Sequence, residues 1–405
     1  MTLDTAVPTI APRRADLDAV RVGAFLLLIL YHVGMAFVTW DWHVKTSHPS
    51  DALEPFMVLL NPWRLSLLFF VSGCATRFML DRVSPRRLTR LRLARLGIPL
   101  LFGMLVVVPP QSWVQVREHG YQLGYWAFYG RYLMADHHFC DAGGCLILPT
   151  WNHLWFVAYL LVYTLPLGWA LMAWPRMGAR LAWLGRWFAG FGAVAVPVAW
   201  LVGVRLVAGG DFEVTHALWG DWVGHAEFLP VFLLGFGVAW NGAFWEYLVR
   251  HRRALLAVAV CTTVAWSVYV GSYPGDLVPP DWQRWVMRVV YGVDQWVCIA
   301  AVLGYAKRYI HRRGRVLEYL TLGVFPFYIA HQTIIVVTEY YLKRLDWPQW
   351  VEGLVLISVT VAGCLAVYEV ARRVAWLRPL FGLSNKGFSW RVVPASLVTA
   401  EGRPA

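Results

Sequence analysis

Residues 17–38, LDAVRVGAFLLLILYHVGMAFV, constrain the fold more than any other stretch of the chain. About 20 residues at ~1.5 Å each match a hydrocarbon core of ~30 Å, so this apolar run is long enough to cross a bilayer as a helix. It nevertheless carries Asp18, Arg21 and His32. An ionisable side chain at membrane depth costs roughly 2.5 kcal/mol or more, which makes each a candidate functional residue. Arg21 and His32 stand eleven residues apart. That is about three helical turns, which puts both on one face with ~16 Å between their levels. A cation near one surface and an imidazole deep in the membrane suit the two ends of one long ligand.

The composition fits the same class. Of 405 residues, 59% are hydrophobic and 15% charged, with a mean hydropathy of +0.51. Soluble domains carry about 25% charged residues, so the expectation is an all-α, polytopic membrane bundle. The net charge of +12 does not point to nucleic acid, because the positive residues sit in short clusters between apolar spans. Many of the 24 tryptophans stand at span ends, among them Trp40, Trp151, Trp222 and Trp350, as an interfacial belt requires. The first run is expected to remain as a span rather than be cleaved as a leader. It is too long for a leader's apolar region, it contains Arg21 and His32, and no small-residue cleavage site follows.

Ten spans are expected: 17–38, 54–80, from 96 to Pro109-Pro110, 151–174, 187–208, 222–245, 254–274, 283–306, 318–341 and 349–371. The proline pair must kink or end the third. Residues 1–16 and 372–405 read as tails, and 117–150 as the longest polar connection. Of 36 Lys and Arg, 25 fall on the side of the two tails and 7 on the other, with Arg21, Arg64, Arg77 and Arg288 inside spans. The positive-inside rule then places both termini in the cytoplasm. No internal repeat or heptad run is visible.

Counting from that orientation puts His32 ~21 Å and Arg64 ~24 Å above the cytoplasmic surface, close to one level. His331 comes out at ~20 Å, while His153 and the His225/Glu227 pair stand at the outer ends of their spans. The outer half therefore gathers titratable groups, which must face a bundle interior or a water-filled cavity. On the cytoplasmic side the polar set is arginine: Arg21, with Arg92 and Arg95 on one helical face. Guanidinium groups grip phosphate oxygens in a bidentate fork, so a polyanion fits there. No P-loop or dinucleotide-binding glycine motif is present.

Five motifs stand in order along nearly the whole chain: Arg21-x10-His32, LFFVSG at 68–73, Arg92-x-x-Arg95, His153-Leu-Trp-Phe and FPFYIAHQT at 325–333. Together they resemble the membrane acyltransferase-3 family, and within it the glucan-biosynthesis branch. The resemblance implies a transmembrane acyltransferase domain over 17–371 in a bacterial inner membrane. It also implies transfer of an acyl group, acetyl or succinyl, from cytoplasmic acyl-CoA to a hydroxyl of a periplasmic or cell-envelope glycan. It carries over most directly to His32 and Arg21, then to Arg92 and Arg95. Only about 30 residues follow the last span, so no appended C-terminal domain is expected.

On this reading Arg21, Arg92 and Arg95 hold the CoA phosphates, and Asp18, three residues before Arg21, pairs with it to hold it in place. His32 takes the proton of the acceptor hydroxyl, or becomes acylated in a relay, and Arg64 stabilises the oxyanion. His153, His331 and Glu227 are candidates for acceptor binding. Each also has a simpler reading: His331 a structural hydrogen bond, His153 an interfacial anchor, His225/Glu227 a solvated pair at a helix mouth. The cluster His137, His138, Cys140, Cys145 lacks a metal-ligand spacing, so a Cys140–Cys145 disulfide is expected, with two free thiols as the alternative, and no metal. No permanently bound cofactor is expected, and the partners are acyl-CoA, the glycan and membrane lipid. The competing function is a secondary transporter of an anionic small molecule, which ten helices, buried charges and proline-interrupted spans would also suit.

Overall fold

The computed structural model describes residues 14–141, 144–209, 214–274 and 277–384. Most of both tails, 1–13 and 385–405, lies outside them. All ten apolar stretches contain helix: α1 (Ala15–Gly34), α2 (Arg64–Leu80), α3 (Pro85–Glu118), α4 (Trp155–Ala173), α5 (Gly192–Ala208), α6 (Trp222–Val238), α7 (Gly242–Ser272), α8 (Asp281–Tyr309), α9 (Arg315–Leu342) and α10 (Gln349–Arg373). Seven described helices are long and apolar enough to cross a membrane, or eight if α5 and the helix Met177–Phe188, bent by 98° against it, count as one span. At 17 residues, α2 and α6 fall just short of that length.

Several boundaries differ from the sequence expectation: α3 begins at Pro85 and α7 at Gly242, each earlier than expected, and two further differences bear on the site. The second stretch does not run unbroken from residue 54: one turn, Glu54–Met57, is separated from α2 by Val58–Trp63, so Arg64 opens a helix instead of lying inside one. Nor do Pro109-Pro110 end the third helix, which runs on to Glu118. Wide π turns at Leu93–Gly97 and Gly103–Val107 explain this. Val108 N–H bonds the carbonyl of Gly103, five residues back, so the prolines open a fresh α segment where a missing N–H costs least.

Helix α1 packs against α2, α8, α9 and α10. The closest crossing is between α2 and α6. A Cβ on Gly73 would stand 2.0 Å from the carbonyl oxygen of Phe232, and one on Gly235 would stand 2.1 Å from that of Phe70. The glycine of the LFFVSG motif is thus a packing requirement, since close approach of backbones is what binds helices in lipid. Beyond α3, the helix Tyr125–Leu133 leads to a two-stranded hairpin in which Cys140 and Cys145 are joined by a disulfide. After α10 the short helix Leu377–Leu380 returns to the body, with Phe381 buried against it.

Candidate active site

Residues 41–50 fold back over the C-terminal end of α1. Lys45 Nζ donates to the carbonyls of Met35 and Val38, at 2.8 and 2.9 Å, and Thr46 N–H to that of Ala36. This brings Trp42 onto His32, with ring centroids 5.4 Å apart. A cavity of about 1210 Å³ opens beside them, lined among others by Tyr31, His32, His153, Arg205, Glu227 and Tyr291. Arg64 joins the lining from the first turn of α2, with its guanidinium carbon 3.4 Å from the centre of the Tyr31 ring.

His32 and His331 form a hydrogen-bonded pair, Nδ1 of the first to Nε2 of the second at 2.8 Å. The far nitrogen of His331, Nδ1, lies 2.7 Å from the carbonyl oxygen of Tyr328. A carbonyl only accepts, so that nitrogen carries the hydrogen and Nε2 is the lone pair. In the neutral pair His32 must then donate through Nδ1, which leaves its Nε2 bare. Among the described residues Nε2 of His32 has no protein partner, and the ring borders the cavity. His331 is fully buried behind His32 and is not among the residues lining the cavity.

His153 does reach the cavity, yet both its nitrogens are engaged. Nε2 faces the carbonyl of Ile329 at 3.0 Å and Nδ1 faces Gln111 Nε2 at 3.4 Å. Gln111 Oε1 accepts from Asn152 and Gln332, and Gln332 Nε2 in turn meets His43 Nε2 at 3.0 Å. Burial pushes His43 down to about 4, so it stays neutral and can accept that bond. Glu227 binds Arg205 at 2.7 Å and Gln295 at 3.3 Å, with Arg205 stacked 4.1 Å over Tyr291. His225 turns away from Glu227, bridging Tyr163 Oη and the carbonyl of Leu218.

At the other end of α1, Arg21 donates to the carbonyl of Thr321 at 3.1 Å. Arg92 donates to Thr76 Oγ1 at 2.7 Å, and Thr76 to the carbonyl of Ser72 within the LFFVSG motif. Arg21 and Arg95 are near enough for their charges to act on Arg92, so the three guanidinium groups form one cluster. Asp18 binds Arg313 at 3.2 Å, a partner that spacing within α1 does not suggest. Because α1 is unbroken from Ala15 to Gly34, the arginine cluster and His32 remain ~16 Å apart along one helix face.

Residues 14–369 match the acyltransferase-3 family, described as an acyltransferase domain. The chain belongs to that family. It is similar to glucans biosynthesis protein C of Escherichia coli O139:H28 (strain E24377A / ETEC), 22% identical over 394 residues, 92% of this chain and 95% of the relative. The homologue from Escherichia coli O9:H4 (strain HS) matches to the same extent. No solved structure matches. A membrane acyltransferase is therefore the class within which the cavity and the arginine cluster are to be understood.

Tyr31, Trp42, His43, Gln111, Arg205, Tyr291 and Gln332 were not marked by the sequence. A polar amide within an apolar run was a usable signal for Gln111 and Gln332. Nothing local distinguished Trp42 and His43, whose position depends on a loop folding back.

Proposed function

We propose that this protein transfers an acyl group, acetyl or succinyl, from cytoplasmic acyl-CoA to a hydroxyl of a periplasmic or cell-envelope glycan across a bacterial inner membrane. The observation carrying this reading is the bare Nε2 of His32 at the cavity wall, with its tautomer set by His331. Charge placement in the sequence supports cytoplasmic termini, which puts the arginine cluster inside and the cavity outside.

Arg21, Arg92 and Arg95 grip the CoA phosphates, Asp18 steadies this corner through Arg313, and the pantetheine arm follows α1 outward. His32 Nε2 accepts the proton of the attacking hydroxyl as its oxygen bonds the thioester carbon. Arg64 stabilises the oxyanion, the carbon–sulfur bond then breaks, and the imidazolium returns the proton to the departing thiolate. Glu227, braced by Arg205 and Gln295, is assigned to hydroxyls of the glycan. His153 shapes the wall, and His331 orients His32.

The test is transfer of radiolabelled acyl groups from acetyl-CoA or succinyl-CoA to an oligoglucoside by purified protein. Labelled glycan is the expected result, and no transfer from either donor would overturn the reading. Arg92→Gln is expected to raise the donor KM roughly tenfold with kcat little changed, as befits loss of a charge-assisted contact worth ~1.5 kcal/mol. Initial rates over a range of donor concentrations check this. An unchanged KM would remove Arg92 from the donor site.

A further inference from the structure

Between α5 and α6, residues 214–221 form a tight loop from which Thr215, His216 and Trp219 join the lining of the large cavity. The loop is built around Asp221, which is 1% exposed. Its carboxylate accepts from the backbone N–H groups of Thr215, His216 and Gly224, at 3.4, 3.2 and 3.1 Å, and from the Tyr159 hydroxyl. Neighbouring side chains hold the loop from outside. Leu218 N–H donates to Tyr159 Oη at 3.1 Å, His225 Nε2 donates to the Leu218 carbonyl at 2.8 Å, and Trp151 Nε1 donates to that of His216 at 3.1 Å. His216 and Leu218 take φ values of 57° and 67°, a region that residues other than glycine seldom enter. Such a backbone persists only where its surroundings fix it, and here they do.

The largest side chain on this rigid frame is bare. Trp219 is 86% exposed, more than any other tryptophan among the described residues, yet it borders the cavity. Interfacial anchoring accounts for an exposed indole, but for neither its place on the cavity lining nor its fixed backbone. Beside it, the His216 ring stacks on Trp155 with centroids 4.0 Å apart, and Trp155 lines the cavity as well.

Flat aromatic faces and a few polar groups, Glu227 and Arg205 among them, thus share one cavity. A pyranose ring has the matching chemistry. Its axial C–H bonds make an apolar face that lies flat on an indole, while its hydroxyls leave from the rim to meet donors and acceptors. At about 1210 Å³ the cavity exceeds the ~300–1,000 Å³ of sites for single small ligands, which suits an acceptor of several rings. We propose that Trp219, set in place by Asp221, is the platform on which one sugar ring of the acceptor stacks. This rests on the reading of the cavity as the glycan site, and adds an aromatic face to the hydroxyl contacts assigned to Glu227.

The test is equilibrium binding of a radiolabelled oligoglucoside to the full-length protein in detergent, with CoA affinity and melting temperature measured on the same samples. Trp219→Ala is expected to weaken oligoglucoside binding about tenfold, and Trp219→Phe, which keeps a flat face, to stay within about threefold of the unaltered protein. Neither variant should change CoA affinity or melting temperature, because the indole is exposed. Oligoglucoside binding by Trp219→Ala within about twofold of the unaltered protein, or a phenylalanine variant as weak as the alanine one, overturns the platform and leaves the glycan reading standing. A loss accompanied by weaker CoA binding or a lower melting temperature also overturns it, since a structural role would then explain the result. No saturable oligoglucoside binding by the unaltered protein overturns the platform and the glycan reading together.

Discussion

Replacing His32 by alanine is expected to lower acyl transfer by ~10²–10⁴-fold while the protein still folds into the membrane. The ring is half-buried at the edge of a cavity, so truncation leaves a space water can enter and does not empty a packed core. On the proposed reading, what disappears is the imidazole whose Nδ1 is committed to His331 and whose Nε2 is left to take the acceptor's proton. His331→Ala should act on the same step indirectly. It leaves His32 in place but frees its Nδ1, so either tautomer becomes available and kcat falls with little change in the KM of either substrate. Initial rates with purified variants, compared at equal folded concentration, measure both effects. Near-normal turnover by His32→Ala would exclude base catalysis and acyl relay by this residue alike.

Replacing Gly73 by leucine is expected to prevent recovery of folded protein. The obstacle is backbone: a Cβ at this position would lie 2.0 Å from the Phe232 oxygen and 2.9 Å from Phe236 N, and neither can swing aside as a side chain would. Relief requires α2 and α6 to separate. That would break the contact of Cys74 Sγ with the Gly235 carbonyl at 3.1 Å and the stacked Phe69–Phe228 rings at 4.8 Å. Overpacking of flexible cores costs ~1–3 kcal/mol, and a rigid crossing should exceed that. Gly73→Ala should already lower the melting temperature in detergent, whereas Gly203→Ala, with open space around its Cβ, should not. Size-exclusion profiles and thermal melts provide the comparison. A monodisperse, thermally normal Gly73→Leu protein would contradict the crossing.

Arg21 and His32 share one helix, and their separation is a property of α-helical rise, so it was legible in the sequence. Arg64 reached the level of His32 by the same counting, although the helix it opens begins ten residues later than hydropathy suggests. A broken turn at Val58–Trp63 is invisible to an apolar count, because every residue there except Asn61 and Pro62 is apolar. At the prolines 109 and 110 the helix is interrupted but not ended: a π turn upstream closes at Val108, and a fresh α segment starts at Pro109.

By itself the sequence determined the membrane class, the helical stretches, the charge asymmetry and the face shared by Arg21 and His32. Each of these follows from hydropathy, charge counts and helical periodicity, which are local. Only the tertiary structure decided that His331 stands behind His32, that Trp42 and His43 fold over it, and that Glu227 takes Arg205. Those partners are separated by 299 residues in the histidine pair alone. No local pattern encodes which helix faces another; that is set where backbones can approach most closely, and Gly73 against Gly235 is where this chain allows it.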